Sequence, residues 1–227
     1  MGKKIKMVVF DMAGTTVNED NIVYKTVRNA INNTGFNFTL DQVLTEGAGK
    51  EKLQAIKSIL KTYGNNTDEK LANEIYIDFS AKLTTAYQNA SLIPQPNAAE
   101  LFSTLKERGI LTILNTGYQR TVAESIIEKL KWNEGTEYDK LVTATDVSGS
   151  RPEPDMIQFA AEEFGIVPSE VIKIGDSIID IQEGKNAGCA LSIGITTGAH
   201  TAKQLQSANP DYIIDNLLEL LPIIDRY

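Results

Sequence analysis

Apolar positions along the chain follow two different periods. Residues 5–10 form a short apolar, partly β-branched run that breaks at Asp11-Met12-Ala13-Gly14-Thr15-Thr16, as a buried strand leading into a tight loop does. The period then lengthens. Tyr24, Val27, Ala30 and Ile31 recur at helical spacing before Gly35, Leu53, Ile56 and Leu60 before Gly64, and Leu71, Ile75 and Phe79 open a third helix. Nothing between about Asn18 and Asn89 alternates as a strand would, so this stretch reads as all-helical.

Beyond Pro94 and Pro96 strands and helices alternate. Ala98, Leu101, Phe102 and Leu105 share a helical face that Gly109 stops, and residues 110–114 read as a strand. Thr121 and Glu124 predict a capping box for the helix carrying Val122, Ile126, Ile127 and Leu130. Residues 141–144 predict a strand, Asp155 a cap for a helix running to Phe164, and residues 171–174 another strand. A helix from Asp180 to Gly188, a strand over 191–195, and a helix start at Thr201 and Gln204 complete the pattern. The alternation predicts an α/β fold, a Rossmann-like parallel sheet covered by helices on both faces. Residues 1–16 and 91–227 form this core, and residues 17–90 an inserted helical cap.

At 227 residues the chain is long enough for such a core. Its net charge of −8, from 22 basic and 30 acidic residues, argues against nucleic acid as a partner. A small anionic substrate stays compatible, because a few cations and a metal reverse the field inside a cleft. Cys189 is the only cysteine and the longest apolar run near the start is short. Both fit a soluble cytoplasmic protein without a membrane segment. Oligomeric state leaves no mark.

In open sheets the ligand sits at the carboxyl ends of the strands. Here those ends carry Asp11, then Asn115-Thr116-Gly117-Tyr118, then Arg151-Pro152-Glu153-Pro154-Asp155, then Gly175-Asp176-Ser177-Ile178-Ile179-Asp180. One aspartate after a strand is an ordinary turn former. Carboxylate, hydroxyl, cation and paired carboxylates at successive strand ends are the parts that phosphoryl transfer needs: a nucleophile, donors for crowded anionic oxygens, and ligands for a cation.

In these motifs, their order and the helical cap, the chain resembles the haloacid dehalogenase superfamily. Ala13, Lys50, Tyr118 after Thr116-Gly117, and Arg151 draw it towards the phosphonatase-like branch, the phosphonoacetaldehyde hydrolases. The resemblance implies a Mg²⁺-dependent hydrolase acting on a small phosphorylated or phosphonylated metabolite. Asp11 would be the nucleophile, forming an aspartyl phosphate. Asp11, the carbonyl of Ala13 and Asp176 would hold Mg²⁺, with Asp180 nearby. Thr116 would donate to a phosphoryl oxygen, Gly117 would contact substrate, and Arg151 would add positive charge.

Most phosphatases of the superfamily carry a second aspartate two residues after the nucleophile as general acid and base. Ala13 cannot serve, which disfavours a mutase. Retention of the other parts disfavours a mere ligand sensor. The phosphonatase branch shares this alanine and uses a cap lysine that forms a Schiff base with an aldehyde. Lys50 falls where that lysine is expected, leaving three roles open: Schiff base, substrate-binding cation, or solvated helix start. The branch's cap histidine, cysteine and methionine are replaced by Leu53, Asn21 and Glu46. His200, the single histidine, reads as a surface residue at a helix start.

Overall fold

The computed structural model describes residues 4–227, Gln88 by its backbone only. The first strand is β1 (Met7–Asp11), and β2 (Val17–Asn18) follows it. Four helices come next: α1 (Ile22–Asn32), α2 (Leu40–Gly47), α3 (Lys52–Gly64) and α4 (Glu69–Asn89). Then follow β3 (Ile93–Pro94), α5 (Ala98–Glu107), β4 (Leu111–Thr116), α6 (Arg120–Leu130), β5 (Lys140–Thr143) and α7 (Asp155–Glu163). The chain finishes with β6 (Val171–Gly175), α8 (Ile178–Ala187), β7 (Leu191–Ile195), α9 (Ala202–Gln206), β8 (Tyr212–Ile214) and α10 (Leu220–Ile224).

Six strands form one sheet in the order β5-β4-β1-β6-β7-β8, each neighbouring pair parallel. Because β1 sits in the middle, both its faces are buried, and Met7, Val8, Val9 and Phe10 have no solvent exposure. That explains a continuous apolar run where a half-solvated strand would alternate. Phe10 packs edge-on against Phe102, and Phe102 against Trp132, each at 5.5 Å between ring centres.

The helices α1 to α4 pack on one another and form the inserted helical cap of this α/β fold. Their connection to the sheet is a two-strand ribbon in which β2 pairs antiparallel with β3. Among the described residues no helix is long and apolar enough to cross a membrane.

Local expectations fare unevenly. The Thr201–Gln204 capping box is formed, and an unforeseen one joins Thr39 to Gln42 at the start of α2. The box expected from Thr121 and Glu124 is absent. The helix starts two residues earlier, with Gln119 rather than Thr121 at the cap position and no side-chain cap. Arg120 instead pairs with Asp146 at 2.6 Å, tying the helix start to the loop after β5. Asp155 does not cap its helix either: Pro154 precedes it, and the Asp155 carboxylate accepts from the Gly149 amide at 2.9 Å. The strand β8 went unseen, since three residues carry too little period to read.

Candidate active site

Parallel register places three strand ends side by side. Asp11 lies opposite Asn115, and Phe10 opposite Ile174, so Asp11, Thr116 and Asp176 meet at the carboxyl edge of the sheet. The Thr16 hydroxyl donates to the Asp11 carbonyl at 3.0 Å and pins the loop that follows. Thr116 is buried, and its hydroxyl oxygen accepts from the Tyr118 amide at 3.3 Å.

Arg151 reaches into this cluster from the segment after β5. Its Nη1 donates to Asp11 Oδ1 at 2.7 Å and lies 3.0 Å from Asp180 Oδ1. Nη2 donates to the Asn115 carbonyl at 2.8 Å, and Nε stands 3.0 Å from Glu183 Oε2. Behind it Lys173, fully buried, bridges Asp180 at 3.1 Å, Glu183 at 2.9 Å and the Asn115 side-chain oxygen at 2.9 Å. Two buried cations therefore hold a carboxylate network, and the network fixes the rotamer of Asp11.

Burial, then the charge of Asp180, raise the Asp11 carboxyl to about 6 despite Arg151. Burial and the charges of Asp11 and Asp180 hold Asp176 well above the usual carboxylate range. Asp180 is pulled down by Arg151 and Lys173 against its burial.

This donor set fits a hard divalent cation. Carboxylate oxygens of Asp11, Asp176 and Asp180 lie within 4.8 Å of one another, all three residues buried, as Mg²⁺ or Ca²⁺ ligands require. Asp176 is cradled by backbone: a Cβ at Gly198 or Gly14 would stand 1.9 or 2.2 Å from its Oδ2, and the Ala199 amide donates to that oxygen at 2.6 Å. Asp180 is already engaged by Arg151, Lys173 and the Ser177 hydroxyl at 2.5 Å.

The helical insert closes the cluster from above. Gly49 has a left-handed φ of 78°, and a Cβ there would meet Ser177 Oγ at 2.3 Å and Ile179 Cβ at 2.8 Å. Only glycine lets this loop dock on the loop after β6. The Tyr24 hydroxyl oxygen accepts from the Gly49 amide at 3.0 Å.

Two lysines follow, and the structure separates them. Lys50 turns aside to pair with Glu46 at 2.7 Å, both side chains a quarter exposed. Lys52, the first residue of α3, turns inward. It is buried, donates to the Lys50 carbonyl at 2.8 Å, and sits 5.2 and 5.5 Å from the ring centres of Tyr24 and Tyr118. Burial lowers its pKa. A small cavity is bounded by Asp11, Ala13, Thr116, Gly117, Arg151 and Asp176 below and by Lys52 above. Of the site residues expected from the sequence, Lys50 and Asp180 do not line this cavity; Asp180 lies just behind it, in the carboxylate cluster with Asp11 and Asp176.

Sequence reasoning missed Lys52, Glu19, Lys173 and Glu183. Lysine within the apolar run Val171–Gly175 was a visible signal, because a strand buried on both faces admits lysine only with partners. Glu19 gave none. Its buried carboxylate accepts from the hydroxyl of Tyr87 and lies 3.3 Å from that of Tyr118, joining α4 to the loop after β4; burial raises it to about 7. His200 is not on the surface. It is buried, accepts from the Ile178 amide at 3.1 Å through Nδ1, and places Nε2 3.1 Å from the Leu44 carbonyl in α2. It braces the insert against the start of α8.

Residues 8–193 match the model of the haloacid dehalogenase-like hydrolases, and the chain belongs to that family. It is 33% identical over 199 residues to a bifunctional phosphonoacetaldehyde hydrolase/aminoethylphosphonate transaminase of Clostridioides difficile, covering 82% of this chain and 31% of that protein. It is 30% identical to a phosphonoacetaldehyde hydrolase of Bacillus cereus (strain AH187), over 86% of this chain and 77% of that one. A phosphonoacetaldehyde hydrolase-like protein from Oleispira antarctica superposes with a TM-score of 0.85 at 23% identity, covering 98% and 92% of the two chains. The protein is a hydrolase of the phosphatase and phosphonatase kind.

Proposed function

We propose that this protein cleaves the carbon–phosphorus bond of a small carbonyl-bearing phosphonate, with Asp11 as nucleophile and Lys52 as the amine that activates the carbonyl. The observation carrying this reading is a buried lysine above Asp11 where the loop offers Ala13 and no acid. Lysine adds to a carbonyl only as the neutral amine, and burial favours that form. Of the roles left open for Lys50, the Schiff base is assigned here to Lys52, two residues on. Counted from Lys52, the position of the branch's histidine three residues beyond the lysine holds Ala55.

The Lys52 nitrogen bonds to the carbonyl carbon, water leaves, and an iminium forms. Asp11 attacks phosphorus in line, the carbon–phosphorus bond breaks, and its electron pair enters the iminium to give an enamine. No proton need reach the leaving carbon in that step, which is why Ala13 suffices. Water then hydrolyses the aspartyl phosphate to orthophosphate. Protonation and hydrolysis of the enamine free the carbonyl product and Lys52.

Asp11, the Ala13 carbonyl and Asp176 would hold Mg²⁺. When bound, the ion neutralises phosphoryl oxygens and lets two anions approach. Arg151 holds Asp11 by one oxygen and leaves the other to attack. Residues 1–16 and 91–227 act as the core, and residues 17–90 as the cap that carries Lys52. A second reading rests on the missing histidine: Lys52 stays charged, binds a phosphate oxygen, and a phosphoester is cleaved. Turnover of phosphonoacetaldehyde to orthophosphate and acetaldehyde, lost in EDTA and restored by Mg²⁺, tests the proposal. Orthophosphate release from phosphomonoesters alone would establish the second reading instead.

A further inference from the structure

The cavity over Asp11 is small. Asp11, Thr116, Arg151 and Asp176 crowd it from one side and Lys52 from the other, which suits the phosphoryl end of a substrate and little beyond it. A larger cavity lies beside it, between α3 and α4 of the insert and the loop leading into α6, and the two share Lys52, Gly117 and Tyr118 as a common wall.

The second cavity has a different character. Phe79, Leu83 and Val122 supply apolar surface, and Ser80, Gln119 and Thr121 are among the uncharged polar groups that supply a comparable share. Among the described residues its charged groups are Lys52 and Glu51, and the Glu51 carboxylate already caps α3 through the amides of Leu53 and Gln54. Lys52 faces the phosphoryl cavity as well. No second cation is left there to receive a second anionic group, and burying an unpaired charge against Phe79 and Leu83 is unfavourable.

Resting on the reading above, we propose that the second cavity receives an uncharged substituent, its alkyl part against Phe79, Leu83 and Val122, carried on the carbon that bonds to Lys52. The substrate class is then a 2-oxoalkylphosphonate longer than phosphonoacetaldehyde. Its phosphoryl group sits over Asp11, its carbonyl carbon at Lys52, and its tail between α4 and α6.

Calorimetric titration of the Mg²⁺-loaded protein with methyl-, propyl- and pentylphosphonate tests this without turnover, since none of them has a carbonyl to activate. Kd is expected to fall roughly fourfold for each methylene buried beyond the second carbon. A carboxylate at the end of the pentyl chain is expected to cancel the gain. In Val122→Trp, which fills the second cavity, the chain-length gain is expected to vanish. Equal Kd values for the three phosphonates, an unchanged gain in the tryptophan variant, or tighter binding of the carboxylate-ended ligand would overturn the inference alone. If the wild-type protein bound no methylphosphonate, the phosphoryl site itself would be wrong and the inference would fall with it.

Discussion

Replacing Glu19 by Gln should make the protein more stable above neutral pH. The carboxyl is buried, its partners are the phenols of Tyr87 and Tyr118, and Lys52 and Asp11 act on it only through space. Its pKa rises from 4.5 to about 7 on folding, chiefly through burial, so the native state favours the protonated form. Below pH 4.5 both states are protonated and nothing is lost. Between 4.5 and 7 the unfolded chain ionises first, and stability falls as pH rises. Above 7 the full penalty remains. At about 1.4 kcal/mol per pH unit, that gap amounts to about 3 kcal/mol. Glutamine keeps the shape and stays neutral. Urea unfolding of both proteins in EDTA at pH 5, 6, 7 and 8 reads the difference, and titration of Asp11 and Asp176 cancels between them. The variant should match wild type within about 1 kcal/mol at pH 5, one hydrogen bond being altered, and exceed it by about 2–3 kcal/mol at pH 8. A stability difference flat from pH 5 to 8 would refute the reasoning.

Three further substitutions bear on the site. Asp11→Asn should abolish orthophosphate release while circular dichroism stays native, because an amide cannot accept the phosphoryl group; near wild-type release would end the covalent route. Gly49→Ala forces a left-handed φ on alanine and a Cβ into Ser177 and Ile179, so the insert cannot close: kcat/KM should drop at least tenfold with little change in Tm, and an unaltered kcat/KM would show that docking is not needed. Lys173→Met leaves Asp180 and Glu183 with Arg151 as their one cation and should cost about 3–5 kcal/mol in denaturant unfolding; a loss under 1 kcal/mol would mean the network does not depend on this lysine.

The fold was legible wherever a period could accumulate. The buried runs of β1, β4, β6 and β7 and the helical faces of α1, α3 and α5 are each long enough to declare themselves. The motif residues could be read because they follow strands, and strand ends meet at one edge of the sheet. Lys50 and Lys52 could not be told apart in this way. They are two residues apart at a helix start, and which one turns inward depends on the left-handed Gly49 and on α3 beginning at Lys52. Glu19 and His200 are set by contacts between insert and core. Those join Glu19 to Tyr87 and His200 to Leu44, partners 68 and 156 positions away, and local pattern carries no trace of them.

Lys52 is where the account is most exposed. Borohydride reduction during incubation with phosphonoacetaldehyde and Mg²⁺, followed by peptide mass spectrometry, locates any imine. The account predicts irreversible inactivation with the adduct on Lys52 and none on Lys50, and no adduct in Lys52→Arg, which keeps the charge but cannot form the imine. Full activity after borohydride with Lys52 unmodified, or an active Lys52→Arg protein, would contradict it.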